Sequence, residues 1–185
     1  MFDLQGLNVY LIGMMGSGKS STGTLLAERL GYKFIDTDVS IEKAAHQTIP
    51  EIFQTAGETE FREIETQVLA EVSAYTRLIV ATGGGIAIKL ENWNHLQQGL
   101  VVWVDVSIDI IVERLKEDRV NTRPIILNTP PDELHSKLDT ILAERRDRYA
   151  AADIRVPINS HLSPTEIVEQ IIALIPTVLK QQPDN

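Results

Sequence analysis

Residues 13–20 read Gly13-Met14-Met15-Gly16-Ser17-Gly18-Lys19-Ser20, a complete G-x-x-x-x-G-K-[ST] phosphate-binding loop. Glycines let backbone N–H groups turn inward around a triphosphate. Lys19 can reach the β- and γ-phosphates, and the Ser20 hydroxyl can ligate Mg²⁺. The nucleotide-binding set read from this stretch is Gly16, Ser17, Gly18, Lys19, Ser20 and Ser21. Its context fits. The apolar run Val9-Tyr10-Leu11-Ile12 precedes it as a buried parallel strand would. A helical pattern follows, with Leu25, Leu26 and Leu30 on one face and its N-terminal dipole aimed at the phosphates.

A second group of chemically able residues consists of charges placed where helical periodicity demands apolar side chains. In a helix over 58–73, Phe61, Ile64, Val68, Leu69 and Val72 form the stripe. Glu65 falls inside that stripe and Arg62 on its flank. A half-buried charge costs several kcal/mol unless paired. Arg62 and Glu65, three residues apart, are therefore either a structural ion pair or an arginine held ready for an anion. A helix over 132–149 repeats the pattern, with Arg145 at the centre of the stripe Leu134, Leu138, Ile141, Leu142 and Tyr149. Arg146 and Asp147 point away, and Arg148 sits at the edge as the alternative to Arg145. A guanidinium fork suits a carboxylate, which it can bind bidentately.

Two further clusters end strands. Asp36-Thr37-Asp38 follows the second one. Ligands of open α/β sheets bind beyond the carboxyl ends of strands, so Asp36 could help hold hydrated Mg²⁺ and Asp38 could accept a substrate hydroxyl. The plain alternative for Asp38 is a helix N-cap. Gly83-Gly84-Gly85 follows the third strand and either makes a tight turn or clears space for a ligand against backbone. Asp105 also ends a strand, but with Ser107 and a helix after it, it reads as part of a cap. The four histidines show no metal-binding spacing. Trp93 and Trp103 read as core.

The elements that must position these residues are short apolar strands alternating with amphipathic helices. Strands are expected at 7–12, 33–36, 77–82, 100–105 and 154–158, several of them continuous apolar runs covered on both faces, hence a parallel sheet. Pro157 puts the last strand at an edge. A Thr55-x-x-Glu58 capping box opens the helix over 58–73, and Ser163, Pro164 and Glu166 open the last one. One segment, about 117–130, is charged with prolines at both ends of an apolar Ile125-Ile126-Leu127. It reads as a lid, against the alternative of an ordinary solvated loop. Residues 1–180 form a single domain, and 181–185 a frayed tail.

Composition narrows the classes. The 185 residues suffice for a full core. The absence of cysteine rules out disulfides and thiolate metal sites and suits the cytoplasm. A net charge of −9 argues against a nucleic-acid surface. No apolar run is long enough to span a bilayer, and the N-terminus lacks the basic region of a signal peptide.

In order, the phosphate loop, Asp36-Thr37-Asp38, Glu58-x-x-Phe61-Arg62-x-x-Glu65, Thr82-Gly83-Gly84-Gly85, Arg123-Pro124 and Arg145 resemble the shikimate kinase family, over nearly the whole chain. The Arg145-x-x-x-Tyr149-Ala-x-Ala arrangement looks most like its plant and cyanobacterial members, and the simpler reading is a bacterial one. The resemblance implies an α/β P-loop kinase fold, three-layered and nucleoside monophosphate kinase-like, with a central five-stranded parallel sheet. It implies ATP-dependent phosphorylation of the shikimate 3-hydroxyl, a step towards chorismate and aromatic amino acids, with Mg²⁺ as cofactor. By family analogy Arg62 and Arg145 grip the substrate carboxylate, supported by Glu65. Asp38 binds ring hydroxyls and is the candidate base, and Gly83, Gly84 and Gly85 close the pocket. Lys19 and Arg123 neutralise the transferring phosphoryl group. Arg119 is chosen as the adenine-facing residue, with Lys116 as its alternative. Partners are expected to be shikimate and ATP, with no nucleic acid and no membrane, and the chain is expected to be a monomer.

Three competing readings are weaker. A gluconate kinase-like enzyme of the same fold would also use paired arginines on a hydroxylated carboxylate. A nucleoside monophosphate kinase suits the Asp-Thr-Asp turn less well. A non-catalytic regulatory homologue should have lost Lys19, Ser20, Asp38 or Arg123, and none is lost.

Overall fold

The computed structural model describes residues 4–117 and 124–179. Five strands, β1 (Val9–Ile12), β2 (Lys33–Asp36), β3 (Leu78–Ala81), β4 (Leu100–Val106) and β5 (Ile154–Ile158), form one sheet in the order β2-β3-β1-β4-β5. Every pairing is parallel. β1 and β3 are buried at every position, as apolar strands covered on both faces must be. β5 lies at an edge and alternates buried with exposed, so exposed Pro157 withholds no ladder hydrogen bond from a central strand.

Eight helices are described: α1 (Lys19–Leu30), α2 (Thr37–Ala45), α3 (Ile49–Thr55), α4 (Gly57–Ser73), α5 (Leu90–Leu96), α6 (Ile108–Glu117), α7 (Leu134–Tyr149) and α8 (Pro164–Leu179). α1 buries Thr22, Gly23, Leu26 and Ala27, while Leu25 and Leu30 are only half-buried. The inward stripe is therefore rotated from the leucine face, because Gly23 lets the helix come close to β2. A Cβ there would meet the Phe34 ring at 2.6 Å.

Three local expectations need correction. The Thr55–Glu58 capping box does not form. A separate short helix, α3, occupies the preceding residues, and Thr55 at its end gives its hydroxyl to the Glu51 carbonyl. α4 starts at Gly57 without a side-chain cap, and the capping box belongs to Thr48 and Glu51 instead. The seventh helix begins at Leu134 rather than 132. Asp105 receives Arg155 at 2.8 Å (Nε) and 2.6 Å (Nη2), with that guanidinium stacked on Trp103, so its carboxylate serves an ion pair. The Ser163–Glu166 box is formed as expected. Arg119, Arg123 and the tail 181–185 lie outside the described residues.

Candidate active site

The turns leaving β1, β2 and β3 converge at one edge of the sheet, and the cleft they enclose has a volume of about 470 Å³. This is the carboxyl edge, where open α/β sheets bind their ligands. The phosphate loop forms one wall. Gly16 (φ 73°) and Gly18 (φ 87°) adopt the left-handed backbone that the inward turn requires. Gly13, at φ 139°, lies so close to β4 that a Cβ would meet the Val104 carbonyl at 2.6 Å. Lys19 is only 8% exposed. Its ammonium spans the loop, donating to the carbonyls of Gly13 (2.9 Å) and Met14 (2.8 Å) and to Ser17 Oγ (3.2 Å). Ser17 is fully buried and faces Lys19 rather than the open cleft.

Asp36 does two things at the end of β2. Its Oδ1 accepts the Asp38 N–H and so caps α2, and its Oδ2 accepts the Ser20 hydroxyl at 2.6 Å. The N-cap considered for Asp38 is therefore Asp36, and Asp38 stands in the first turn of α2, lining the cleft. Ser20 and Asp36 supply hard oxygen donors side by side next to the loop, the donor type Mg²⁺ selects.

Opposite, α4 presents Arg62 and Glu65. Arg62 donates to Glu65 Oε2 at 2.8 Å and to Glu58 Oε1 at 3.1 Å. Burial works against the Arg62 charge, but the two carboxylates outweigh it and raise its pKa. Glu65 is completely buried, and burial pushes its pKa up against the opposing pull of Arg62. Its Oε1 has no hydrogen-bond partner among the described residues. Asp38, a like charge, adds to the upward shift.

The glycine run is the floor between these groups. Gly83 sits between two carboxylates, so a Cβ there would meet both Asp38 Oδ1 and Glu65 Oε1 at 2.9 Å. At Gly85 a Cβ would meet the Arg62 guanidinium carbon at 2.5 Å, and at Gly84 it would lie 3.6 Å from Arg145 Nη1. Arg145, 6% exposed, donates to the Gly84 carbonyl at 2.9 Å. Tyr149, one turn on, gives its hydroxyl to the same oxygen. Burial raises the Tyr149 pKa, so the phenol stays protonated and keeps donating. Arg148 is exposed at the edge of the α7 stripe. Two guanidinium groups thus rest on consecutive glycines, facing a phosphate loop across one cleft.

Several lining residues escaped the sequence reading. Val39, Ile49, Pro50 and Phe53 make an apolar wall with Phe61, already read in the α4 stripe, and the Phe53 and Phe61 rings are in contact at 4.7 Å. α3 is too short to show a period, so its inward face left no signal. Arg114 of α6 donates to the Gly16 carbonyl at 3.2 Å and approaches Gly18. It flanks an apolar stripe as any solvated arginine would. Lys116, the alternative to Arg119, is exposed in the last turn of α6.

A family model described as shikimate kinase matches residues 15–176. The chain belongs to the shikimate kinase family. A curated relative, the shikimate kinase of the cyanobacterium Microcystis aeruginosa, is 51% identical over 177 residues, covering 96% of this chain and 90% of its own length. A solved shikimate kinase from Acinetobacter baumannii, in complex with shikimate, superposes with a TM-score of 0.88 at 32% identity, covering 97% of each chain. A gluconokinase from Sinorhizobium meliloti reaches a TM-score of 0.57 at 19% identity, which is a likeness of fold alone. The chain is an enzyme with the family's activity, ATP-dependent phosphorylation of shikimate, and the gluconate reading is not favoured.

Proposed function

We propose that the cleft phosphorylates the shikimate 3-hydroxyl with Arg62 and Arg145 gripping the substrate carboxylate. The observation that carries this reading is the pair of buried guanidinium groups on Gly84 and Gly85, facing Lys19 and its loop. Glu65 holds Arg62 on one side, and the Gly84 carbonyl holds Arg145 on the other. Each arginine therefore keeps its orientation and still has N–H donors to spare for an anion. The Gly84 N–H and the apolar wall close the pocket around the ring.

Asp38 accepts the reacting hydroxyl and orients it, and on this reading takes its proton. Lys19 exchanges its contacts with the loop carbonyls for the β- and γ-phosphates of ATP. Gly16, Gly18, Ser20 and Ser21 wrap the phosphates, and Arg114 adds positive charge beside Gly16. Arg123, from the lid segment, completes the neutralisation, and Arg119 faces the adenine. Catalysis of this kind is mostly alignment and charge stabilisation. Ser20 and Asp36 would hold Mg²⁺, which when bound screens the phosphate oxygens. All these groups come from one chain, so a monomer suffices. A chain without cysteine suits the cytoplasm, and no helix among the described residues is long and apolar enough to cross a membrane.

The test is a coupled ADP-release assay across shikimate, quinate, gluconate and nucleoside monophosphates. Shikimate should have the highest kcat/KM. A higher value on gluconate would overturn the assignment of the arginine pair.

A further inference from the structure

The middle residue of Asp36-Thr37-Asp38 has no part in the chemistry described above, yet it is completely buried. Its hydroxyl oxygen accepts the N–H of Gly83 at 3.1 Å, joining residues 46 apart in sequence. Thr37 begins α2, with Asp36 as its cap, and its β-branch restricts χ1. The oxygen therefore stands at a fixed place relative to Asp38, the next residue. On the other side, a Cβ added at Gly83 would stand 2.9 Å from both Asp38 Oδ1 and Glu65 Oε1. Thr82 anchors the same strand end, donating its hydroxyl to the Leu11 carbonyl at 2.9 Å. The turn after β2 and the turn after β3 are thus joined side chain to backbone at the residue between two carboxylates.

We propose that Thr37 is a positioning residue, which through Gly83 sets the place of the Asp38 carboxylate against Glu65 and the substrate hydroxyl. This rests on the reading of Asp38 as the group that receives that hydroxyl. Valine has the shape of threonine but cannot accept the Gly83 N–H. The glycine run would then relax from the Asp-Thr-Asp turn, and the reacting geometry would loosen. A misplacement of about 1 Å in a reacting geometry can cost on the order of 100-fold in rate. Serine keeps the acceptor and should restore the arrangement.

The experiment measures kcat and both KM values for Thr37→Val, Thr37→Ser, Gly83→Ala and Asp38→Asn, with melting temperatures. Thr37→Val should lower kcat by about tenfold or more, with ATP KM unchanged and shikimate KM changed much less than kcat. Thr37→Ser should recover most of the loss. Gly83→Ala inserts a methyl between the two carboxylates while keeping the Thr37 hydroxyl, and it should lower kcat in the same way. That variant decides the matter if Thr37→Val fails to fold. Wild-type kcat in folded Thr37→Val, or in folded Gly83→Ala, overturns the inference. If those variants are active while Asp38→Asn is dead, only the positioning role fails. If Asp38→Asn is itself fully active, the reading of Asp38 fails and the inference falls with it.

Discussion

Gly85→Ala is the sharpest test of the arginine grip, because it leaves every charge in place. The Gly85 Cα lies against the face of the Arg62 guanidinium, and an added methyl carbon would fall 2.5 Å from its central carbon. Normal contact is about 3.5–4.0 Å, so the guanidinium must withdraw by an ångström or more. The backbone at Gly85 is not left-handed, so alanine brings no strain of its own. Withdrawal breaks bonds of 2.8 Å to Glu65 and 3.1 Å to Glu58. Arg62 is at the end of a flexible stem, so the fold should give up only about 1–3 kcal/mol, the range of an ordinary destabilising substitution. Substrate binding should suffer more. Losing one side of a buried charged pair costs about 2–5 kcal/mol, which is a rise in shikimate KM of about 30-fold or more. ATP KM should stay the same, because the phosphate loop is untouched. The measurement is steady-state kinetics by ADP release, with Arg62→Ala in parallel. A folded Gly85→Ala enzyme with wild-type shikimate KM would refute the reasoning that this guanidinium binds substrate where it now stands.

Three other outcomes follow from the same geometry. Arg145→Ala should raise shikimate KM by a similar factor while exposed Arg148→Ala leaves it unchanged, and the reverse result would place the substrate arginine one turn away. Asp36→Asn weakens the oxygen pair with Ser20, so the Mg²⁺ concentration needed for half-maximal kcat should rise; an unchanged Mg²⁺ titration would remove Asp36 from the metal site. Glu166 accepts hydrogen bonds from the backbone and side chain of Ser163, which hold its pKa below the ordinary 4.5. A depressed acid stabilises the fold above its unfolded pKa and ceases to do so as pH falls through its folded one. Glu166→Gln should therefore melt lower than wild type at pH 7, with the difference closing below about pH 4.5; a gap independent of pH would mean the carboxylate charge is irrelevant to the cap.

Much of the fold was legible because β1, β3 and most of β4 are unbroken apolar runs, which a doubly covered parallel sheet needs. Arg62, Glu65 and Arg145 were legible for the opposite reason: each breaks a helical stripe, and a charge inside a stripe must have something to meet. Periodicity could not say what they meet. Nothing in the spacing of Tyr149 announces that its hydroxyl shares the Gly84 carbonyl with Arg145, since a tyrosine at that position is an acceptable core residue. Thr37 was equally silent, a small polar residue between two more eloquent aspartates. The misplaced capping box has a plain cause. Thr48 and Thr55 both precede a glutamate by three residues, but Pro50 marks the first turn after Thr48. The Thr55 hydroxyl is taken by the Glu51 carbonyl at the end of α3, and α4 starts without a side-chain cap.

The strand order has a consequence for how the chain comes to bind nucleotide at all. β1 carries the phosphate loop on its end, but both of its neighbours in the sheet arrive late: Val9 pairs with Ile79 on one side and with Leu100 on the other. During synthesis from the N-terminus, the loop residues emerge early and remain without a frame. About seventy residues must follow before the first neighbour exists, and about ninety before the second. At roughly 5–20 residues per second, the interval is several seconds or more, in which the most recognisable ATP motif in the sequence cannot hold ATP. During synthesis, nucleotide therefore has no framed loop to bind until β3 and β4 have both emerged. The earliest structure must come instead from local helices such as α4, whose contacts lie close in sequence.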